Sequence, residues 1–185
     1  FLLQPAARLH PGENRRAIEE TAVQVAGGTR TARDELGALL PAGGEVHTPY
    51  GATEALPVTD IAGAELATLR TSMEQGAGGC VGRALAGVEL GLVSVSDEPI
   101  ARWEPSLLVA PGEPGEVCVR GPVVTRRYLD DESANRAAKI ADGPEVWHRM
   151  GDVGRLDEQG RLWFLGRKSQ RLETEHGVRF FLRHS

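Results

Sequence analysis

Apolar and polar positions alternate with a period of two in two stretches, 88–95 and 115–121, and each reads as a half-buried β-strand. In the second, Val117 and Val119 fall on one face while Glu116, Cys118 and Arg120 fall on the other. The run Pro111-Gly112-Glu113-Pro114-Gly115 ahead of it is a turn by composition. Further on, 153–156 and 161–165 are joined by Asp157-Glu158-Gln159-Gly160, which predicts a hairpin. Helix formers collect at 13–20 and again at 130–140, where Asp131 or Ser133 can cap and Glu132 and Arg136 are spaced for an i,i+4 pair. The short apolar run 21–26, the break Gly27-Gly28-Thr29 and a helix-like stretch at 31–40 give strand, turn, helix, and a second short strand follows at 45–48. That order predicts an α/β layer followed by a small antiparallel sheet or barrel, with ligands gathering at the carboxyl ends of the strands. The interval 62–82 is rich in Gly, Ala and Thr and reads as flexible low-complexity chain rather than a phosphate cradle. No Gly-x-x-x-x-Gly-Lys-Ser/Thr pattern is present.

Composition then narrows the class. With 185 residues, 41% of them apolar, the chain can build one core, or one large and one small unit. A net charge of −5 argues against a nucleic-acid backbone as the main partner. No stretch approaches the roughly 18 uninterrupted apolar residues of a membrane span, and Phe1-Leu2-Leu3 lacks the basic lead and length of a signal peptide. Cys80 and Cys118 have no metal-ligand spacing and suit a reducing compartment, so the default expectation is a soluble cytoplasmic protein. A start at Phe1 and a tail without a clear stop signal suggest a piece of something longer.

The richest chemistry lies in His47-Thr48-Pro49-Tyr50-Gly51-Ala52-Thr53-Glu54. Tyr50 can offer a flat face to a base, and Gly51 lets backbone come close to a ligand. Thr53 can bond a phosphate oxygen, and Glu54 can hold a hard cation that partners phosphate. A tight structural turn would use the same residues. Downstream, Asp152 precedes one hairpin strand and Arg167 follows its partner, so pairing brings them to one end, either as a surface ion pair or as a clamp on sugar and phosphate.

These clusters, in this order, resemble the adenylate-forming enzymes: acyl-CoA synthetases, luciferases and the adenylation domains of peptide synthetases. Tyr50-Gly51-Ala52-Thr53-Glu54 matches that family's Tyr-Gly-x-Thr-Glu, and 115–121 with Tyr128 is similar to its Gly-Glu strand motif. Gly151-Asp152 and Gly166-Arg167 match its Thr-Gly-Asp and Gly-Arg. The resemblance implies that Tyr50 stacks on adenine, that Gly28 and Thr29 line the base pocket, and that Thr53 contacts the α-phosphate. It further implies that Glu54 binds Mg²⁺ and that Asp152 and Arg167 hold the ribose of ATP.

Within that family, His47-Thr48-Pro49, the runs 96–103 and 120–126, 147–152 and Gly166-Arg167-Lys168-Ser169 look like the β-lactone synthetases of bacterial olefin biosynthesis. Met150 in place of the usual Thr, and Ser169 where many relatives carry a hinge Asp or Lys, point the same way. The implied activity is ATP-dependent activation of a long-chain β-hydroxy fatty acid as acyl-AMP, then closure to a β-lactone. A fatty acyl-CoA ligase and an inactive nucleotide-binding fragment are the alternatives, and other olefin-biosynthesis enzymes are the implied partners. The fold implied is part of the large N-terminal domain of such an enzyme: an α/β part at 1–84, a β-rich subdomain with the ribose hairpin at 85–166, and at 167–185 the hinge and start of a C-terminal domain. The family's phosphate loop with its lysine, and its late second lysine, are not found in this sequence. His47 and His148 are the candidates for a general base.

Overall fold

A computed structural model describes residues 22–24, 39–41, 44–174 and 177–179. The helix expected at 13–20 and most of that at 31–40 fall outside them, as do Gly28 and Thr29. Strand β1 (Ala22–Gln24) runs parallel to β2 (Glu45–Ala52), with Ala22 opposite Glu45. A parallel pair is what an α/β first segment calls for; the turn and most of the helix expected between these strands lie outside the described residues. The chain then turns back at once into β3 (Ala55–Ala62), antiparallel to β2 with Tyr50 opposite Thr59. Tyr50 therefore stands on a strand, not on a loop after one, because β2 continues past Thr48 to Ala52.

The Gly/Ala/Thr-rich interval is ordered, contrary to the low-complexity expectation. It holds α1 (Gly63–Thr68), α2 (Arg70–Glu74) and β4 (Gly79–Ala84). Leu66 is buried, and Leu69 and Met73 pack with it against Ile61, Cys80 and Trp163. Those three apolar positions recur at helical spacing, a sparse stripe that the small residues around it obscure.

Next come β5 (Glu89–Val93), β6 (Gly115–Arg120), α3 (Glu132–Ala138), β7 (Lys139–Asp142), β8 (Glu145–Leu156) and β9 (Leu162–Arg167). β10 (Leu172–Thr174) and β11 (Gly177–Arg179) form a separate antiparallel pair. The main sheet has nine strands in the order β1-β2-β3-β4-β9-β8-β6-β5, with β7 also beside β8. Among the described strands only β1 and β2 pair in parallel.

Helix α3 opens where the sequence places it. The Asp131 carboxylate accepts from the Ala134 N–H at 2.8 Å, meeting one of the orphan donors of the first turn. Asp131→Ala is expected to cost about 1 kcal/mol in urea unfolding at neutral pH. The helix ends at Ala138, earlier than expected, because Lys139 and Ile140 are taken into β7 opposite His148 and Trp147.

β6 alternates as predicted, but it is not half-buried: Gly115 to Val119 are all buried. It lies between β5 and β8, with apolar groups on both faces. Val117 and Val119 join Val58, Leu92 and Leu162 on one face, and Cys118 joins Val93, Ile140 and Trp147 on the other. Trp147 stacks on Trp103 with ring centroids 3.9 Å apart, and the Arg120 guanidinium lies 5.1 Å from its ring.

Candidate nucleotide site

The β8–β9 hairpin forms as the sequence predicts, closed by an Asp157 side chain that accepts from the Gln159 and Arg161 N–H groups. Its register sets Asp152 directly opposite Arg167, and Arg167 Nη1 lies 2.9 Å from Asp152 Oδ1. The two are unequal: the Asp152 side chain is 3% exposed and that of Arg167 52%. Asp152 Oδ2 accepts from the Tyr50 hydroxyl at 2.7 Å, joining β2 to β8. Oδ1 has only the poorly aligned guanidinium and is otherwise a buried acceptor without a donor. Burial pushes the Asp152 carboxyl above the usual range, against the Tyr50 hydroxyl and Arg167, which pull it down. Burial, with the Asp152 charge next to it, likewise holds the Tyr50 hydroxyl far above its ordinary value. The Tyr50 ring is tilted against Phe164 at 6.4 Å and packs on the main core cluster.

A second cluster forms at the tip of the β2–β3 hairpin. Thr53 is exposed there, and Glu54 is partly buried. Glu54 Oε1 accepts from the Tyr128 hydroxyl at 2.9 Å, and the Glu54 carbonyl accepts from the Thr125 N–H at 2.8 Å. The Tyr128 bond is the main cause holding the Glu54 carboxyl below its usual value. Burial first, then Glu54, pushes the Tyr128 hydroxyl up to about 12. Lys139 Nζ lies 5.3 Å from the Tyr128 ring centroid and donates to the Thr125 carbonyl at 2.5 Å. Gly51 has a reason of its own: a Cβ there would stand 2.4 Å from the Ala55 carbonyl, so the hairpin itself requires the glycine.

The two histidines part company. His148 is buried, meets the Tyr128 ring edge-on at 6.4 Å, and is pushed down to about 4 by desolvation and then by Lys139. It is neutral at pH 7. Its Nδ1 faces the Ala138 carbonyl at 3.3 Å, which only accepts, so the proton sits on Nδ1 and Nε2 keeps its lone pair. His47 instead pairs with Asp60 at 2.5 Å, three positions before Tyr50 and so on the opposite face of β2.

Of the residues singled out in the sequence, the structure brings Tyr50, Asp152 and Arg167 together, and leaves Thr53 and Glu54 at the tip of the β2–β3 hairpin. Sequence reasoning gave no role to Lys139, Phe164 or the hydroxyl of Tyr128; the last was visible only inside a strand motif. A cation would fit at Glu54 as a sparsely held one. One carboxylate oxygen is taken by Tyr128, and among the described residues no group of three His, Cys, Asp or Glu gathers to hold a metal. Mg²⁺ suits such a place, since it keeps most of its shell for water and phosphate oxygens.

A family model described as AMP-binding enzyme matches residues 6–129. The sequence is 50% identical over 144 residues to the olefin beta-lactone synthetase of Stenotrophomonas maltophilia (strain K279a), a match covering 75% of this chain and 26% of that protein. The chain therefore spans about a quarter of the length of that curated relative. The fold is similar to O-succinylbenzoate coenzyme A synthetase from Bacillus subtilis in complex with ATP and magnesium ion. That match has a TM-score of 0.58 and 26% identity over 85% of this chain and 29% of that one. It is also similar to an amide bond synthetase from Marinactinospora thermotolerans, with a TM-score of 0.60 and 25% identity over 88% of this chain and 28% of that one.

Proposed function

Since this chain belongs to the AMP-binding enzyme family, we propose that it contributes the base, ribose and magnesium contacts of an enzyme that activates a long-chain β-hydroxy fatty acid with ATP and closes it to a β-lactone. The observation that carries the nucleotide half is the buried Asp152 Oδ1, which has no well-aligned hydrogen bond and only the half-exposed Arg167 guanidinium at 2.9 Å, on a carboxylate that the Tyr50 hydroxyl holds through its other oxygen. A vicinal diol supplies the donors such an oxygen lacks, and leaving a buried acceptor unmet costs about 1–3 kcal/mol. The lactone half is supported by the half-identical relative of that name.

The chemistry balances without a second substrate. The fatty carboxylate attacks the α-phosphorus, the bond to the β-phosphate breaks, and pyrophosphate leaves. The β-hydroxyl of the same molecule then attacks the activated carbonyl, AMP departs, and the hydroxyl proton passes to a base. Attack within one molecule needs orientation and exclusion of water more than new binding groups. Glu54 would hold Mg²⁺, which supplies charge neutralisation at the phosphates, with Thr53 exposed on the same hairpin to reach the α-phosphate. Gly28 and Thr29 complete the base pocket in this reading. His148, neutral with a free Nε2, is the better placed of the two histidines to take the proton. The division at 84 and 166, a cytoplasmic location and other olefin-forming enzymes as partners belong to the same proposal. Among the described residues no helix is long and apolar enough to cross a membrane.

The test supplies this protein with Mg-ATP and a long-chain β-hydroxy acid, with and without coenzyme A, and follows pyrophosphate and product. Pyrophosphate release with lactone and AMP in the absence of coenzyme A is the expected result. A thioester formed only when coenzyme A is present removes the lactone step, and no pyrophosphate under either condition removes the activity from this chain.

A further inference from the structure

We propose that Lys168 is a positioning residue that holds Arg167 over Asp152, acting through a buried ion network anchored on Glu116; this rests on the ribose reading of the Asp152–Arg167 pair. Beyond Val153 the β8–β9 ladder is irregular. Gly154 faces Phe164 but Val153 faces Gly166, so an extra residue is inserted in β9 just before the functional pair. On the other strand, Gly151 precedes Asp152 with φ +68°, a turn that normal strand geometry does not hold in place. Strand pairing alone therefore fixes this end of the hairpin weakly. The Asp152–Arg167 contact cannot fix it either, since a pair with one side half in water contributes only about 0–1 kcal/mol.

The next residue along supplies the anchor. Lys168 turns inward where Arg167 turns outward: its Nζ donates to Glu116 Oε2 and to the Ser96 carbonyl, each at 3.2 Å, and lies 3.0 Å from Glu116 Oε1. Glu116 is fully buried on β6, directly opposite Val153. Its Oε2 is held by Arg149 through Nε at 3.1 Å and Nη2 at 2.6 Å. Arg149 lies on β8, three residues before Asp152, and also donates to the Ser96, Glu98 and Ala137 carbonyls. The contacts close a ring: Asp152 to Arg167, along the chain to Lys168, to Glu116, to Arg149, and along β8 back to Asp152. Both arms that carry the functional pair end on the same buried carboxylate. Arg149 and Glu116 are buried and the Lys168 ammonium is taken up by Glu116 and Ser96, so Lys168 acts by placing its neighbour.

The test is equilibrium binding of ATP and of 2′,3′-dideoxy-ATP to this chain and its variants, with urea unfolding alongside. The parent is expected to prefer ATP by about tenfold or more, the scale of a hydrogen bond to a charged acceptor. Lys168→Met is expected to bring that preference to within about threefold of unity while ATP and the dideoxy analogue retain similar residual affinities, and Lys168→Arg to restore it. If the methionine variant does not fold, Lys168→Gln carries the same comparison. Full preference in a folded Lys168→Met, beside its loss in Asp152→Asn, overturns this inference and leaves the ribose reading standing. Preference retained by Asp152→Asn, or absent from the parent, overturns the ribose reading and this inference with it.

Discussion

Glu116→Gln is expected to lower the unfolding free energy by about 3–5 kcal/mol, the cost of breaking a buried ion network by removing one partner. Glutamine is nearly isosteric, so packing around β6 survives and the loss is electrostatic. Arg149 and Lys168 would be left as cations at 2% and 18% side-chain exposure. The carboxylate that remains beside Lys168 is Asp97, 4.0 Å away and mostly in water. A stability of about 5–15 kcal/mol is ordinary for a domain, so a loss of this size is a large share of the total. Urea unfolding at pH 7 reads it directly. Glu89→Gln is the matched control, since Glu89 pairs with Arg120 at 2.7 Å at the surface and is expected to cost about 0–1 kcal/mol. Equal losses at the two sites would show that water reaches Glu116 and that no network anchors the hairpin.

The contrast between these two glutamates marks where the sequence stops being readable. Period-two alternation places Glu116 on the face opposite Val117, and it is there. Alternation says nothing of whether that face is covered, and a strand set between β5 and β8 is covered on both sides. The Asp152–Arg167 pairing was legible because it is local: a short Asp-Glu-Gln-Gly turn fixes which residues of the two strands meet. The Tyr50–Asp152 bond spans 102 residues and the Tyr128–Glu54 bond spans 74, and no spacing rule reaches that far. The motif resemblance put Tyr50, Glu54 and Asp152 in one site without saying which touch, and gave Tyr128 only a place in a strand motif. α1 and α2 were missed for another reason. Their apolar stripe is Leu66, Leu69 and Met73, too thin to stand out among Gly, Ala and Thr, and only packing against Trp163 shows it to be a buried face. β3 was missed because Pro57, Thr59 and Asp60 interrupt its apolar pattern; Thr59 is nevertheless buried and donates to the Val81 carbonyl at 2.5 Å.

Asp152→Asn is expected to weaken ATP binding about ten- to hundredfold, the loss of a charged acceptor facing two hydroxyls. The same change is expected to leave the unfolding free energy at pH 7 within about 1 kcal/mol of the parent. The two outcomes diverge because Asp152 is a poor residue for the fold. The amide oxygen of asparagine still accepts from the Tyr50 hydroxyl, and the ion pair it gives up is half in water. The carboxylate, moreover, is held above its usual pKa by burial. An acid whose folded value is raised keeps its proton longer in the folded state. Between the unfolded and folded values the folded state therefore binds more protons, and stability falls as pH rises through that window. The penalty is absent below the ordinary aspartate value and fully present above the raised one. Asparagine carries no such slope. The difference in stability between variant and parent should accordingly move in the variant's favour as pH rises from about 4 towards neutrality, starting at the ordinary aspartate value. Calorimetric ATP binding and urea unfolding, each repeated across that range, separate the two effects. Parallel losses of binding and stability at every pH would make Asp152 a structural residue, whereas lost binding on an undiminished fold places its carboxylate at the nucleotide, where a buried, underpaired acceptor is maintained at the expense of stability.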